Sequence, residues 1–202
     1  MKAGPVPPSG VICFMGMDGA GKSTVIEGVD QWLRENGIAA RVLHTHDYNV
    51  KALHSLNSLG KESWVRRFPF LFFPWPFVAL FDHLMTFRKR FGGGGLILTD
   101  RYFYDKYVRF RFWGIALPGL FYLYKWLIPK PLCAILLDVP TSVALERKGE
   151  YSREDYDRFR REYLDFAKKM DRLSVVDATM PLPGVLDAVK RCISSRMKNE
   201  EK

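Results

Sequence analysis

The chain has 202 residues, 48% of them hydrophobic and 26% charged, with a formal net charge of +9 at pH 7. That length and apolar content suit one domain over residues 1–202 with a sizeable core, and they argue against a second domain. The excess of Lys and Arg suits acidic ligands; an enzyme handling two phosphorylated molecules accounts for it, so no nucleic acid is required.

The first ten residues carry Pro5, Pro7, Pro8 and Gly10 without a long apolar core, which predicts a lead-in and not a signal peptide. Cys13, Cys133 and Cys192 are widely spaced and odd in number. They fall in predicted strands or a helix, so buried, reduced thiols and a cytoplasmic location are expected.

Val11-Ile12-Cys13-Phe14-Met15 reads as a buried strand. Directly after it comes Gly16-Met17-Asp18-Gly19-Ala20-Gly21-Lys22-Ser23-Thr24, a complete G-x-x-x-x-G-K-[ST] phosphate-binding loop. Val25, Ile26, Val29, Trp32 and Leu33 then recur on one side of a helix. Strand, loop and helix together are the context in which this motif holds a nucleoside triphosphate; a glycine-rich turn that binds nothing is the competing reading. The candidate ATP-binding residues are Gly16, Asp18, Gly19, Ala20, Gly21, Lys22, Ser23 and Thr24. Lys22 is expected to reach the β- and γ-phosphates and Ser23 to offer its hydroxyl to Mg²⁺.

Gly37 is placed to end the first helix, and a second strand is predicted over 39–45. His44 and His46 alternate on that strand, but a metal would need further ligands that the sequence does not identify. The aromatic stretch over 68–81 is broken by Pro69, Pro74 and Pro76, which disfavours a membrane span. A second such stretch, over 112–128, is split by Pro118 and carries Lys125. Both are expected to wall a substrate pocket or a subunit interface, with contact to a membrane surface or a lipid-like acceptor as the less favoured alternative.

Ile97-Leu98-Thr99 is a third strand, ending at Asp100-Arg101-Tyr102. An acidic residue there can hold a Mg²⁺-bound water, and the adjacent guanidinium can grip a phosphate. In the competing structural role Asp100 caps the helix that begins near Tyr102 and Arg101 makes a surface ion pair; the upstream phosphate loop favours the first reading. A fourth strand over 132–137 ends at Asp138, and a fifth over 173–176 ends at Asp177. Between them, the charged link over 145–154 with Arg147, Lys148 and Arg153 is a candidate lid at about 147–154, solvated surface charge being the alternative. A helix is expected over 154–171, its stripe of Tyr156, Phe159, Tyr163, Phe166 and Met170 serving the core. The last helix starts near Pro183 and turns Val185, Val189 and Ile193 to one face. The alternation predicts an α/β fold in which ligands gather where strands end.

The phosphate loop with its aspartate, Thr99-Asp100-Arg101-Tyr102, Leu137-Asp138-Val139-Pro140 followed by Val143-Ala144-Leu145-Glu146-Arg147, and Asp177-Ala178 together resemble the thymidylate kinase family of nucleoside monophosphate kinases. The resemblance implies a three-layer P-loop kinase fold, with a five-stranded parallel sheet and helices on both faces. It implies ATP-dependent phosphorylation of a nucleoside monophosphate, dTMP foremost, with ATP and Mg²⁺ as cofactors and a homodimer as the assembly. Asp18 would approach the acceptor's sugar, Arg101 with Tyr102 would bind the acceptor, and Lys22, Arg147 and Arg153 would meet the transferred phosphoryl group. Ser23 and Asp100 would serve the metal.

Three places depart from the family pattern. His44-Thr45-His46-Asp47-Tyr48 stands where the family often shows an Arg-Glu-Pro or Arg-Phe-Pro segment, and Ala79-Leu80-Phe81-Asp82-His83 where it supplies a Phe and an Arg to thymine. Gly19 occupies the loop position that holds an arginine in members with a short lid. A nucleoside, a sugar or lipid-like alcohol as acceptor, or a binding protein without turnover, are the alternative functions.

Overall fold

The computed structural model describes residues 9–43, 68, 72–91, 94–116, 119–149 and 151–200. Five strands, β1 (Gly10–Met15), β2 (Ala40–Leu43), β3 (Leu96–Asp100), β4 (Cys133–Asp138) and β5 (Leu173–Asp177), form one parallel sheet in the order β2-β3-β1-β4-β5. β1 and β4 are almost wholly buried apolar runs, as expected of central parallel strands covered on both sides. The second strand ends at Leu43 among the described residues, and His44 to Tyr48 lie outside them.

The helices are α1 (Lys22–Glu35), α2 (Trp75–Phe91), α3 (Phe103–Trp113), α4 (Leu120–Leu127), α5 (Thr141–Arg147), α6 (Arg153–Ala167) and α7 (Leu182–Glu200). With this strand order, right-handed crossovers put α1 on one face and α2, α3 and α6 on the other. Packing agrees: α1 meets α7, while α3 meets α6 and α2. The result is the three-layer α/β arrangement of a P-loop kinase fold.

The apolar periods do what they predict. Val25, Ile26, Val29 and Leu33 of α1 are buried, as are Val185, Val189 and Ile193 of α7. Helix α6 stops at Ala167, four residues short of the expected end: the Lys169 and Met170 N–H groups turn back to the Phe166 and Ala167 carbonyls. The apolar stripe runs on through Met170, but tightened turns have replaced the helix. Cys13 and Cys133 are buried and Cys192 half-buried, all as free thiols.

The described parts of the two aromatic stretches divide between core and surface, residues 69–71 and 117–118 lying outside them. Phe112 stacks on Phe159 of α6 with ring centroids 3.7 Å apart, and Tyr124 is buried with its hydroxyl donating to the Pro76 carbonyl at 2.8 Å. Phe77, Val78, Phe81 and Met85 of α2, and Tyr122 and Trp126 of α4, are exposed. No helix among the described residues is long and apolar enough to cross a membrane.

Candidate functional site

The sheet presents the carboxyl ends of β1, β3 and β4 side by side, because Phe14 pairs with Asp100 and Met15 with Leu136. The phosphate loop leaves β1 at this edge, where such folds collect ligands. Gly16 is held at φ 136°, and a Cβ there would lie 2.6 Å from the Leu137 carbonyl, so the loop can pass β4 only without a side chain. Gly21 takes the left-handed conformation as the N-cap of α1, and no acidic residue follows in the first turn. The N–H groups that open α1 therefore face outward with the positive end of the helix, which is the electrostatic requirement for a phosphate.

Lys22 is buried and donates to the carbonyls of Gly16 at 3.0 Å and Met17 at 2.8 Å. Its Nζ also stands 3.9 Å from the Asp18 carboxylate. Burial, joined by the Arg101 charge, lowers the Lys22 pKa to about 8. Asp18 in turn accepts from Arg101. Burial alone would raise the Asp18 carboxyl, but the Arg101 and Lys22 cations outweigh it and hold the group below the usual carboxylate range.

Arg101 is the only non-glycine residue with positive φ among those described, at 67°. Its N–H donates to the Phe14 carbonyl at 2.8 Å, and the Thr99 hydroxyl donates to its carbonyl at 3.0 Å. These two bonds hold a turn that aims the guanidinium at the phosphate loop. Tyr102, and not Asp100, is the N-cap of α3; its N–H donates to the Asp105 carboxylate at 3.2 Å. Asp105 is buried and also accepts from the Tyr163 hydroxyl at 2.8 Å. Burial raises its carboxyl despite the nearby Arg101, and raises the Tyr163 hydroxyl as well.

Asp18, Arg101 and Arg109 line a narrow pocket, with Gly16 and Met17 at the loop and Tyr151, Tyr156, Phe159 and Tyr163 as an aromatic wall. The stripe read as core is thus core and wall at once, since Tyr156, Phe159 and Tyr163 are buried and also border this space. Tyr151, from the link between α5 and α6, packs against Tyr156 and Phe159 with ring centroids 5.6 and 5.5 Å apart.

The candidate lid is short, running from the end of α5 at Arg147 to the start of α6 at Arg153. Arg147 donates to the Gly19 carbonyl at 3.2 Å, so its guanidinium already meets the phosphate loop. Arg153 is exposed in the first turn of α6. Behind the lid, Arg160 grips Asp138 with two bonds of 2.8 Å, tying α6 to the end of β4.

For Mg²⁺ the candidates are Ser23, exposed in the first turn of α1, and Asp100, at the end of β3. Among the described residues no group of three His, Cys, Asp or Glu could hold a metal. A hydroxyl and one carboxylate fit Mg²⁺, which keeps several waters and takes its remaining ligands from substrate phosphates. Asp82 and His83 of the divergent 79–83 segment are buried in α2, and the His83 ring lies 5.3 Å from Tyr102 and 5.0 Å from Phe103. Burial lowers the His83 pKa to about 3, so it packs as a neutral ring. Phe81 is 65% exposed and points away from this packing.

Arg109, Asp105 and Tyr151 were not singled out by motif. The available signal for the first two was their spacing: Asp105 follows Arg101 at four residues and Arg109 at eight, on a helix otherwise rich in aromatic residues.

No protein-family model matches the chain. Among curated proteins it is similar to one described as a probable thymidylate kinase from Archaeoglobus fulgidus, with 28% identity over 197 residues, covering 92% of this chain and 95% of that protein. The fold and this similarity together support a nucleotide-binding function of the P-loop kinase type.

Proposed function

We propose that the chain transfers the γ-phosphoryl group of ATP to the phosphate of a nucleoside monophosphate, dTMP being the first acceptor to test. The observation that carries this reading is the Asp18–Arg101 pair at the phosphate loop, bordering a pocket with an aromatic wall. The printed name of the similar archaeal protein points the same way.

In this reading the opening turn of α1 and Lys22 hold the donor's phosphates, and Arg101 takes the acceptor's phosphate with its planar fork. An oxygen of that phosphate attacks the γ-phosphorus as the bond to the β,γ-bridging oxygen breaks and ADP departs. The acceptor is already an anion, so the chain supplies positioning and charge and no general base. Arg147, whose guanidinium donates to the Gly19 carbonyl of the phosphate loop, supplies charge to the transferring group. Mg²⁺, held through Ser23 and Asp100, would neutralise phosphate charge when bound.

A coupled ADP-release assay across nucleoside monophosphates, nucleosides and sugar alcohols tests the proposal. Turnover with monophosphates supports it. Turnover confined to nucleosides or alcohols, or none with a folded protein that binds ATP, overturns it.

A further inference from the structure

The pocket beside the phosphate loop contains a second guanidinium, that of Arg109. Arg109 lies on α3 four residues after Asp105, the spacing that sets two side chains on one helical face. Nearer the loop, the polar groups are engaged with one another: Asp18 accepts from Arg101, and Asp105 accepts from Tyr163 and from the Tyr102 backbone. Arg109 acts on the Asp18 carboxylate only through its charge. One face of its fork rests over Trp113, the guanidinium carbon 5.8 Å from the ring centroid. That contact steadies the guanidinium of a residue that lines the pocket.

Arg101, Arg109, Tyr151 and Phe159 line one pocket, so an acceptor held by its phosphate at Arg101 would have Arg109 and these rings as its nearest further partners. A guanidinium offers donors only, so its partner there must offer acceptors. Resting on the nucleoside monophosphate reading, we propose that Arg109 determines acceptor specificity. It reads the non-reacting end of the acceptor, a planar ring bearing hydrogen-bond-accepting atoms, while the aromatic wall covers the ring face.

The test measures calorimetric binding of the four deoxynucleoside monophosphates and of 2-deoxyribose 5-phosphate, which keeps the sugar and phosphate and lacks the ring. The wild-type chain should bind at least one nucleotide more tightly than the sugar phosphate. Arg109→Met should weaken that nucleotide by about 10- to 100-fold, the range for a hydrogen bond to a charged group, and leave the sugar phosphate and ATP unchanged. Arg109→Lys should recover part of the loss. Equal losses for nucleotide and sugar phosphate, no loss for either, or no preference in the wild type would overturn the inference. Unchanged ATP binding and thermal midpoint show that the variants fold. If the wild type binds a nucleotide through Arg109 yet releases no ADP, the transfer reading fails and this inference stands; turnover without an Arg109 effect is the reverse.

Discussion

The Arg101 guanidinium and the Asp18 carboxylate meet across 83 residues of sequence, and the pair exists because Arg101 holds a left-handed backbone at φ 67°. For a residue with a Cβ that conformation costs about 1–2 kcal/mol. The hydrogen bonds to Phe14 and from Thr99 hold it there. A strained residue beside a phosphate loop points to a site in which orientation matters more than local stability.

Two substitutions separate the strain from the charge. Arg101→Ala keeps the positive φ, whereas Arg101→Gly relieves it, so the glycine variant should be the more stable by about 1 kcal/mol in denaturant unfolding. Both lose the fork, so both should raise the KM for a monophosphate far more than that for ATP. Equal damage to donor and acceptor would count against an acceptor-phosphate role for Arg101, and greater damage to ATP would assign it to the donor side.

Lys22 gives a pH signature. Its pKa of about 8, against an ordinary 10.5, means that the unfolded chain binds more protons between those values. The cost of burying the charge is therefore present below about pH 8 and is relieved as pH rises toward 10.5. Phosphates should restore the charge, so ATP binding at pH 9 should take up close to one proton, and at pH 7 almost none. Calorimetry in buffers of different ionisation heat reads this directly. Lys22→Ala should abolish both the proton uptake and phosphoryl transfer while leaving the fold intact.

The glycines of the loop should differ in cost. At Gly21 a Cβ meets nothing within 4 Å, so Gly21→Ala carries only the positive-φ strain, about 1 kcal/mol. At Gly16 it meets the Leu137 carbonyl at 2.6 Å, and backbone must move. Gly16→Ala should cost about 2–3 kcal/mol and lower the thermal midpoint further. The reverse order would mean that the loop adapts more readily than β4.

The strands were legible because central parallel strands are continuous apolar runs, and β3, β4 and β5 each end in the expected aspartate. The end of α6 was not, since no glycine marks it and the apolar period outlasts the helix. At the site, Asp18, Lys22 and Arg101 carry their chemistry in local motifs. Arg109 and Tyr163 acquire theirs from neighbours brought in by other elements: Asp18 and Tyr151 share a pocket with one, and Asp105 accepts from the other. Periodicity assigns Tyr163 to the core, and it is there; only the packing of α6 on α3 also makes it a pocket wall.

The two lid arginines should differ in what they contribute to turnover. Gly19, at φ 90°, packs so closely that a Cβ would lie 3.2 Å from the Ala144 carbonyl and 3.4 Å from the Arg147 Cβ. The end of α5 thus fills the space beside this loop position, and the charge reaching it comes from Arg147. A guanidinium stabilising charge only in the transition state should affect kcat and not ATP affinity, with effects of roughly 10³-fold or more for an arginine in that role. Arg147→Lys should therefore lower kcat steeply at nearly constant ATP Kd, because a point charge does not reproduce the planar fork. Arg153→Lys, at an exposed position in the first turn of α6, should cost less. A larger loss at Arg153 would mean that the lid closes further, bringing α6's first turn to the phosphates, and unchanged turnover in both variants would leave the link as solvated surface.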